Sequence, residues 1–448
     1  MASTYLSRTP SSSGNLKTWT FSAWFKKGSG GYLLGVADMT DGDPGTNVEA
    51  GTAVLFSIYN GGYVSRLDPL NLTRDVSGWY HYVVSVDTTQ ATASDRVKIY
   101  LNGERITSFS TETYPPQNYD TMVNSSSYEH RIGDRGGGSF DGSMAHVHLI
   151  DGTAYPASTF GEYSATSGVW KPKTAPSVTY GTNGFFLKFA NSAALGTDSS
   201  GNSNNFTVNG TGTQTLDTPS NVFATLNPLG STVPPATVGY TLSNGNTTAQ
   251  YTDAANANFT PATLATMSGK WYVECKVSAD GSFGGDWPEI GVLYADNISN
   301  IQQTNTGAHN TGVMVNTANI VANGNKYDFG TASLSYFSGF TNNDIISMAM
   351  DCNTGKIWFG VNGTWINSGD PANGTGENAT ATTNKFLTFY SRWYQPSTTL
   401  IKWNFGNGYF GTTAVSTPES DGDGFGKFEY AVPTGFYSLC TKNIITYG

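Results

Sequence analysis

Charged side chains are scarce in this sequence of 448 residues, of which they make up 12%. The usual share in globular proteins is roughly 25%. Acidic residues outnumber basic ones by 33 to 23, so the formal net charge is −10. A chain with so few basic side chains lacks the phosphate-neutralising clusters of nucleic-acid-binding proteins. We therefore expect no nucleic acid among its partners.

Cysteines and long apolar segments are also scarce. The three cysteines, Cys275, Cys352 and Cys440, lie far apart, which predicts buried thiols and neither a disulfide framework nor a metal cluster. No apolar run is long enough to span a bilayer, so we expect no membrane insertion. The first residues show no basic stretch followed by an apolar one, so the sequence predicts no secretory signal.

Glycine and aromatic residues are abundant, with 53 glycines and 13% aromatics, which is typical of turn-rich β proteins and excludes a disordered chain. Alternating β-forming residues predict several short strands, and no stretch of ten or more residues has a convincing helical period. The predicted strands lie in segments 18–25, 78–87, 96–106, 130–150, 182–189, 269–277, 344–351, 356–365 and 400–406.

Two of these segments contain an Asn-Gly pair between alternating residues, which predicts a hairpin with a type I′ turn. The pairs are Asn102-Gly103 and Asn362-Gly363. Short strands separated by turns favour sandwiches or barrels over other β architectures. We predict an all-β chain of two antiparallel β-sandwiches, over residues 1–205 and 239–448, joined by a Pro- and Gly-containing linker over 206–238.

The first block resembles the laminin-G/concanavalin A-like superfamily over most of residues 15–160. The similar segments are Trp19–Phe25, Trp79–Asp87 with Val97–Gly103, and Ile132–His148. The second block resembles a SPRY domain, through Gly269–Glu274 and through Asp344–Asp351 with Gly355–Trp365. Both resemblances imply concanavalin A-like jelly rolls.

Three further segments are similar to virion proteins of tailed bacteriophages, which are usually labelled tail fibre, adhesin or structural protein. These segments are Asp198–Phe206, Asp217–Pro228 and Tyr430–Asn443. The resemblance implies a protein made in the host cytoplasm and located on the virion surface, on a tail fibre or the capsid exterior. It also implies other virion proteins as partners and a homo-oligomer, for which a trimer is one form.

Catalytic motifs are absent from the sequence. Concanavalin-like glycoside hydrolases carry carboxylates at alternate positions of one strand, and no such Glu-x-Asp-x-x-Glu run occurs here. Glu274 and Glu289 are isolated, and neither Gly-x-Ser-x-Gly nor His-Glu-x-x-His is present. We therefore expect no enzymatic activity.

An oxygen-rich loop is the strongest candidate for metal binding, although we expect no other cofactor. Asp38, Asp41, Asp43 and Asn47 offer oxygen ligands that suit Ca²⁺. Laminin-G-like domains often hold Ca²⁺ in loops at the rim of the sandwich, and the alternative is an acidic turn without a metal. His146 and His148 alternate on one strand without a third ligand nearby, which favours a structural role.

Aromatic and polar residues in or near loops of the second block suggest a binding surface. SPRY domains bind partners through loops on one rim, and sugars need an aromatic face with amide and carboxylate groups. The candidates are Trp287, Asn367, Asp370, Tyr390, Trp393 and Tyr394. The alternative is that Trp287 and Trp393 only cap the core.

Three functions follow from these features. The first is a virion fibre or adhesin that makes non-catalytic contacts with a host-surface glycan or protein. The second is a head decoration or fibre protein that contacts only other virion proteins. The third is a glycan-degrading enzyme, which the missing carboxylate pair disfavours.

Overall fold

A computed structural model describes residues 4–39, 44–165, 168–229, 240–251, 258–278, 283, 287–296, 316–393 and 399–448. The chain divides into two compact units, Met1–Gln214 and Thr215–Gly448. The predicted linker is shared between them: Thr207–Asn209 forms a strand in the first unit, and Phe223, Ala224 and Leu226 are buried in the second. These side chains are apolar, and their burial extends the second unit before residue 239.

The first unit is nearly all β, and its elements follow one another closely. Its described strands and α-helix are β1 (Tyr5–Arg8), β2 (Thr18–Ala37), β3 (Gly45–Ala50), β4 (Val54–Tyr59), β5 (Tyr63–Pro69), β6 (Tyr80–Asp87), α1 (Ala93–Arg96), β7 (Val97–Leu101), β8 (Glu104–Arg105), β9 (Phe109–Thr113), β10 (Glu129–Ile132), β11 (Asp141–Asp151), β12 (Gly161–Tyr163), β13 (Trp170–Pro172), β14 (Phe185–Leu187) and β15 (Thr207–Asn209).

The long strand β2 belongs to both layers of the first sandwich. Its first half pairs with β6 and β11, and its second half pairs with β3 and β10. One layer has the order β15-β1-β10-β2-β3-β4-β5-β9, and the other is formed by β14, β11, β2, β6, β7 and β8. The pairing partners of the strand change near Gly30 and Gly31, whose φ angles of 100° and 140° disfavour other residues.

The second unit repeats the all-β design. Its strands and helix are β16 (Tyr240–Ser243), β17 (Thr248–Tyr251), β18 (Asn258–Pro261), β19 (Lys270–Ser278), β20 (Glu289–Tyr294), β21 (Thr317–Val321), β22 (Lys326–Asp328), β23 (Thr331–Ser333), β24 (Ile345–Asp351), β25 (Lys356–Val361), β26 (Thr364–Trp365), β27 (Ala379–Thr380), β28 (Leu387–Trp393), β29 (Leu400–Asn404), β30 (Tyr409–Phe410), β31 (Thr413–Ala414), β32 (Glu419–Ser420), β33 (Lys427–Phe428), β34 (Tyr437–Ser438) and α2 (Thr441–Tyr447).

Two sheets enclose the core of the second unit. One has the order β16-β17-β29-β19-β24-β25-β26, with β27 and β34 attached, and the other has the order β18-β28-β20-β21-β22-β23. Both predicted Asn-Gly hairpins are confirmed, since Asn102, Gly103, Asn362 and Gly363 all have positive φ angles. Their inward faces are buried as the alternation predicted, with Val97, Ile99, Ile357 and Phe359 at most 2% exposed.

In each unit a later segment also covers the outer face of one sheet. The first cover, residues 157–165 and 168–173, buries Ala157 and Phe160 against Val83 and Ile150. The second cover, residues 428–436, buries Phe428 and Phe436 against Tyr272 and Trp358. Strand alternation turns Tyr272 to the face of β19 opposite Trp271 and Val273, and the second cover buries this face as well.

Candidate binding sites

The predicted aromatic surface of the second unit needs a correction at two positions. Tyr390 and Trp393 lie on β28, a strand that pairs on both sides, and their side chains are 0% and 2% exposed. Trp393 packs edge-on against Phe283 in the main core, and Tyr390 packs with Phe259 and Leu293. These two aromatic rings therefore cannot meet a ligand at the surface, and for Trp393 the core-capping alternative applies.

The other predicted residues of this surface lie in different segments of the second unit. Trp287 is half-buried, and its ring packs edge-on against Phe283 at a centroid distance of 6.1 Å. Asn367 is exposed in a 3-10 turn. Asp370 closes the next turn, accepting 3.1 and 2.7 Å hydrogen bonds from the backbone and side chain of Asn373, which lower its pKa. Tyr394 lies outside the described residues.

The predicted calcium loop is described only in part. Asp41 and Asp43 lie outside the described residues, and Asp38 is exposed just after β2. Asn47 is buried on β3, where its Nδ2 donates a 3.3 Å hydrogen bond to Ser57 Oγ of the neighbouring strand. Within the described ranges, no three histidine, cysteine or carboxylate side chains are grouped so that they could hold a metal ion. Calcium binding here stays a prediction.

A polar face that sequence analysis missed lies on the outer side of the first unit's larger sheet. Strand alternation turns Val48, Phe56 and Leu67 towards the core, so their neighbours Glu49 and Asp68 occupy the opposite face. We name this region, formed by Tyr32, Glu49, Tyr63, Arg66, Asp68 and Arg135, the polar face.

Ion pairing and ring contacts hold the polar face together. Arg66 Nε donates a 2.8 Å hydrogen bond to Asp68 Oδ2, and its guanidinium lies 4.6 Å from the ring centre of Tyr63. Arg135 lies 5.9 Å from the ring centre of Tyr32. Burial raises the pKa of Glu49, although Arg135 and Arg66 oppose that effect. Two carboxylates thus face two guanidinium groups, and the cluster has no formal net charge.

A cleft with a volume of about 540 Å³ opens beside these charges. It is lined by Glu49, Gly51, Ala53, Val54, Leu55, Asp68, Pro69, Leu70, Leu72 and Ser110. Leu70 and Leu72 are 60% and 43% exposed. Asp68 Oδ1 is buried and has no hydrogen-bond partner among the described residues. We call this region the Asp68 cleft, and it combines an apolar wall with an acceptor that lacks a donor.

A second feature that sequence analysis missed is the buried carboxylate of Glu274 on β19. Its oxygens accept hydrogen bonds from Tyr272 Oη at 2.9 Å and from the backbone N–H groups of Glu429 and Tyr430 at 2.8 and 2.9 Å. Burial outweighs these bonds and raises the pKa of Glu274 to about 7. The group attaches the second cover to the sheet and is fully buried, so it offers no surface to a ligand.

The sequence contains a simple signal for the polar face and a weaker one for the buried Glu274. Glu49, Arg66 and Asp68 are polar residues within alternating strands, and this pattern marks one solvent-side face. Which of these strands are neighbours could not be derived from the sequence, because it depends on the order of strands in the sheet. For Glu274 the sequence shows only an isolated polar residue. The cover that buries it lies far away in the sequence, since Glu429, which donates to Glu274, is 155 residues further along the chain.

A family model and two solved structures are similar to parts of this chain. Residues 2–158 match the family model described as the concanavalin A-like lectin/glucanases superfamily. No curated protein matches the chain. Among similar solved structures, the PSpry domain of TRIM65 is 13% identical with a TM-score of 0.29, and the match covers 40% of this chain and 89% of that one.

The SPRY domain of human HERC1 is another similar structure, with 17% identity and a TM-score of 0.26, and the match covers 37% of this chain and 91% of that one. The match to the family model lies within the first unit and supports a concanavalin A-like sandwich there. The prediction of an all-β chain with antiparallel sheets is confirmed. No helix among the described residues has the length and apolar character needed to cross a membrane.

Proposed function

We propose that this chain is a non-catalytic binding protein of a bacteriophage surface, and that its Asp68 cleft holds a neutral sugar residue of a host glycan. The observation that carries the sugar proposal is a cleft that joins the partly exposed carboxylate of Asp68, whose Oδ1 has no donor among the described residues, to the exposed Leu70 and Leu72. A pyranose offers hydroxyl donors on its rim and an apolar C–H face, and this cleft supplies the complement of both.

The balanced charges of the polar face favour a neutral ligand. Arg66 and Arg135 would repel a cationic ligand, and Glu49 and Asp68 would repel an anionic one. A hydroxyl group can accept from a guanidinium and donate to a carboxylate, so it suits both kinds of partner. The exposed ring of Tyr63, at 54% exposure, extends this surface beyond the cleft.

The sugar proposal is tested by a glycan array with the full chain, followed by titration calorimetry on the best neutral glycan. We expect Asp68→Ala to weaken binding at least tenfold, because a hydrogen bond to a charged group contributes about 1.5–3 kcal/mol. Leu70→Ser should weaken binding less. Asp370→Asn in the second unit is the matched control and should leave the affinity unchanged.

Two results would overturn this assignment. Equal affinity of the Asp68→Ala variant would remove the cleft from the binding site. Shortened glycan products that disappear in a Glu49→Gln variant would show catalysis and replace binding by hydrolysis. Glu49 and Asp68 lie on different strands, β3 and β5, with β4 between them, whereas concanavalin-like hydrolases carry their carboxylates on one strand.

Support for the virion location comes from the similarity of Asp198–Phe206, Asp217–Pro228 and Tyr430–Asn443 to tailed-phage proteins. In this chain these segments build the fold. Asp198, for example, accepts hydrogen bonds from the backbone of Phe186, Ser200 and Asn204. The similarity therefore says nothing of the ligand, which must be argued from the cleft.

Immunogold labelling of purified particles tests the location. Label at the tail tip or on tail fibres would support host attachment. Label over the head would favour the alternative of a capsid decoration that contacts only virion proteins, and absence of label from the particles would overturn the virion proposal. Mass photometry of the purified chain would test the expected homo-oligomer, including a trimer.

A further inference from the structure

His81 lies on β6 beneath the first cover, and its hydrogen bonds fix one protonation state. The indole Nε1–H of Trp170 donates a 3.0 Å hydrogen bond to His81 Nδ1. An indole nitrogen can only donate, so Nδ1 must be the acceptor and the proton of the neutral ring lies on Nε2. His81 Nε2 lies 2.9 Å from Ser22 Oγ, and its N–H group donates a hydrogen bond to that oxygen.

Trp170 is one of the residues that attach the first cover to the sheet below. Its ring lies so close to Gly103 and Gly161 that a Cβ on either glycine would come within 2.8 and 2.4 Å of the indole. Phe160 of the same cover is 2% exposed against the sheet. The cover thus rests on apolar contacts and on hydrogen bonds that include the one from Trp170 to His81, whose imidazole can take up a proton.

The groups around His81 oppose its protonation. After burial, the second cause that lowers the pKa of His81 is His146 on β11, and Lys188 acts in the same direction on the pKa of His146. His148 Nδ1 lies 2.9 Å from Tyr180 Oη. His146 Nδ1 is buried with no hydrogen-bond partner among the described residues.

The charged groups nearest the cover are already paired with one another. Tyr163, whose ring packs edge-on against Trp170, donates a 2.6 Å hydrogen bond to Glu104. Lys171 and Glu162 form a 3.0 Å ion pair on the two cover strands. Tyr100 packs partly buried beside Val83 in the same layer. Glu104 and Glu162 each have a partner of their own. Neither carboxylate is therefore placed to stabilise the protonated ring of His81.

We propose that the first cover is an acid-released flap of the first unit, and that His81 is its trigger. A proton from solvent binds Nδ1 of His81 and turns the acceptor of the Trp170 hydrogen bond into a donor. Two N–H groups then face each other, Trp170 leaves its place, and the cover separates from Val83 and Ile150. The opened imidazolium is hydrated, and the exposed apolar sheet becomes available for new contacts in acid.

Burial supports this inference, because it lowers the pKa of His81 to about 3 in the closed state. In the open state the ring returns to its ordinary pKa near 6.5. The open form therefore binds the proton more readily, and its population relative to the closed form rises about tenfold per pH unit below 6.5. Near neutral pH the same equilibrium keeps the cover closed.

The experiment is hydrogen–deuterium exchange of the full chain between pH 7.5 and 4.5, with rates corrected for the intrinsic pH dependence of exchange. We expect peptides of the first cover to lose protection about 100-fold at pH 4.5. Peptides of β3 and β4 exchange only when the whole unit unfolds, so they should stay better protected than the cover at every pH. Equal protection of the cover and of β3 and β4 at pH 4.5 would overturn the proposal, because it would show that the cover opens only by global unfolding.

A pair of variants separates the trigger from general acid sensitivity. His81→Gln can still accept from Trp170 but cannot take up a proton, so the cover should lose about 100-fold less protection at pH 4.5 than in the unmodified chain. His130→Gln changes another buried histidine of the same unit and should leave the cover's response unchanged. Equal responses in both variants would rule out His81 as the trigger. The pH series on the unmodified chain decides the matter even if a variant fails to fold.

Discussion

The two units cover one face of a sheet in the same manner but fasten the cover with opposite chemistry. In the first unit the neutral imidazole of His81 accepts a hydrogen bond from the indole N–H of Trp170. In the second unit the carboxyl group of Glu274 accepts hydrogen bonds from two backbone N–H groups. Imidazole becomes charged when it gains a proton, whereas a carboxyl group becomes charged when it loses one. Similar architecture therefore gives opposite responses to pH.

The similarity extends to the Asn-Gly hairpins. A Cβ on Gly103 would come within 2.8 Å of the Trp170 ring, and a Cβ on Gly363 would come within 2.7 Å of the Tyr430 ring. In both hairpins the asparagine side chain also accepts a backbone N–H, from His81 for Asn102 and from Ile345 for Asn362. Each unit thus places an aromatic ring of its cover over a glycine of a turn.

The largest expected effect is acid destabilisation of the first unit. Burial lowers the pKa of His81 to about 3 and that of His130 to about 4, so the folded unit keeps both rings neutral while the unfolded chain binds protons below 6.5. Together they should lower the free energy of unfolding by about 5 kcal/mol between pH 7.5 and 4.5. Exchange-monitored urea unfolding, resolved by unit, measures this change, and a first unit as stable at pH 4.5 as at 7.5 would contradict it.

Truncating the covers gives the next largest effect and tests whether both are structural. Phe436→Ala and Phe160→Ala each remove a buried ring, so each should lower the free energy of unfolding of its own unit by about 3–5 kcal/mol. Urea unfolding monitored by unit-specific exchange checks the assignment. The exposed Phe386, at 47% exposure, provides the control, since Phe386→Ala should change stability by less than about 0.5 kcal/mol.

The pH response of the second unit should be smaller and opposite in sign. The pKa of Glu274 rises to about 7 on folding from an unfolded value of 4.5, so the folded unit retains a proton that the unfolded chain releases. Its stability is greatest below pH 4.5 and should fall by about 3 kcal/mol as the pH rises through 7. Glu274→Gln should abolish this slope in unfolding measured from pH 4.5 to 8. A slope that persists in the variant would assign the response to another group.

The smallest effects should come from the turn glycines under the two covers. Gly103→Ala and Gly363→Ala impose a strained φ angle and push a Cβ into an aromatic ring, so we expect losses of about 2 kcal/mol in the free energy of unfolding. Gly61 and Gly424 also have positive φ angles, but a Cβ added at either position would meet nothing within 4 Å. Their alanine variants isolate the backbone strain and should cost about 1 kcal/mol. Equal losses at all four positions would show that the rings move aside freely.

Local patterns predicted much of the fold, and long-range packing explains what they missed. The turn at Asn102-Gly103 was predictable because type I′ geometry needs two positive φ angles in adjacent residues. Residues that look alike in a pattern, such as Trp393 and Trp287, differ in burial because β28 pairs on both sides. The Asp68 cleft depends on the order of β3, β4 and β5 in the sheet, which the alternation of each strand alone does not contain.

The shared strand β2 has a mechanical consequence. Because its 20 residues are hydrogen-bonded into both layers, a force applied along the chain must load the two hydrogen-bonded ladders together. Neither layer can be peeled away while the other keeps all of its partners. Under tension, the first unit should therefore resist extension up to a single high rupture force and then yield in one step.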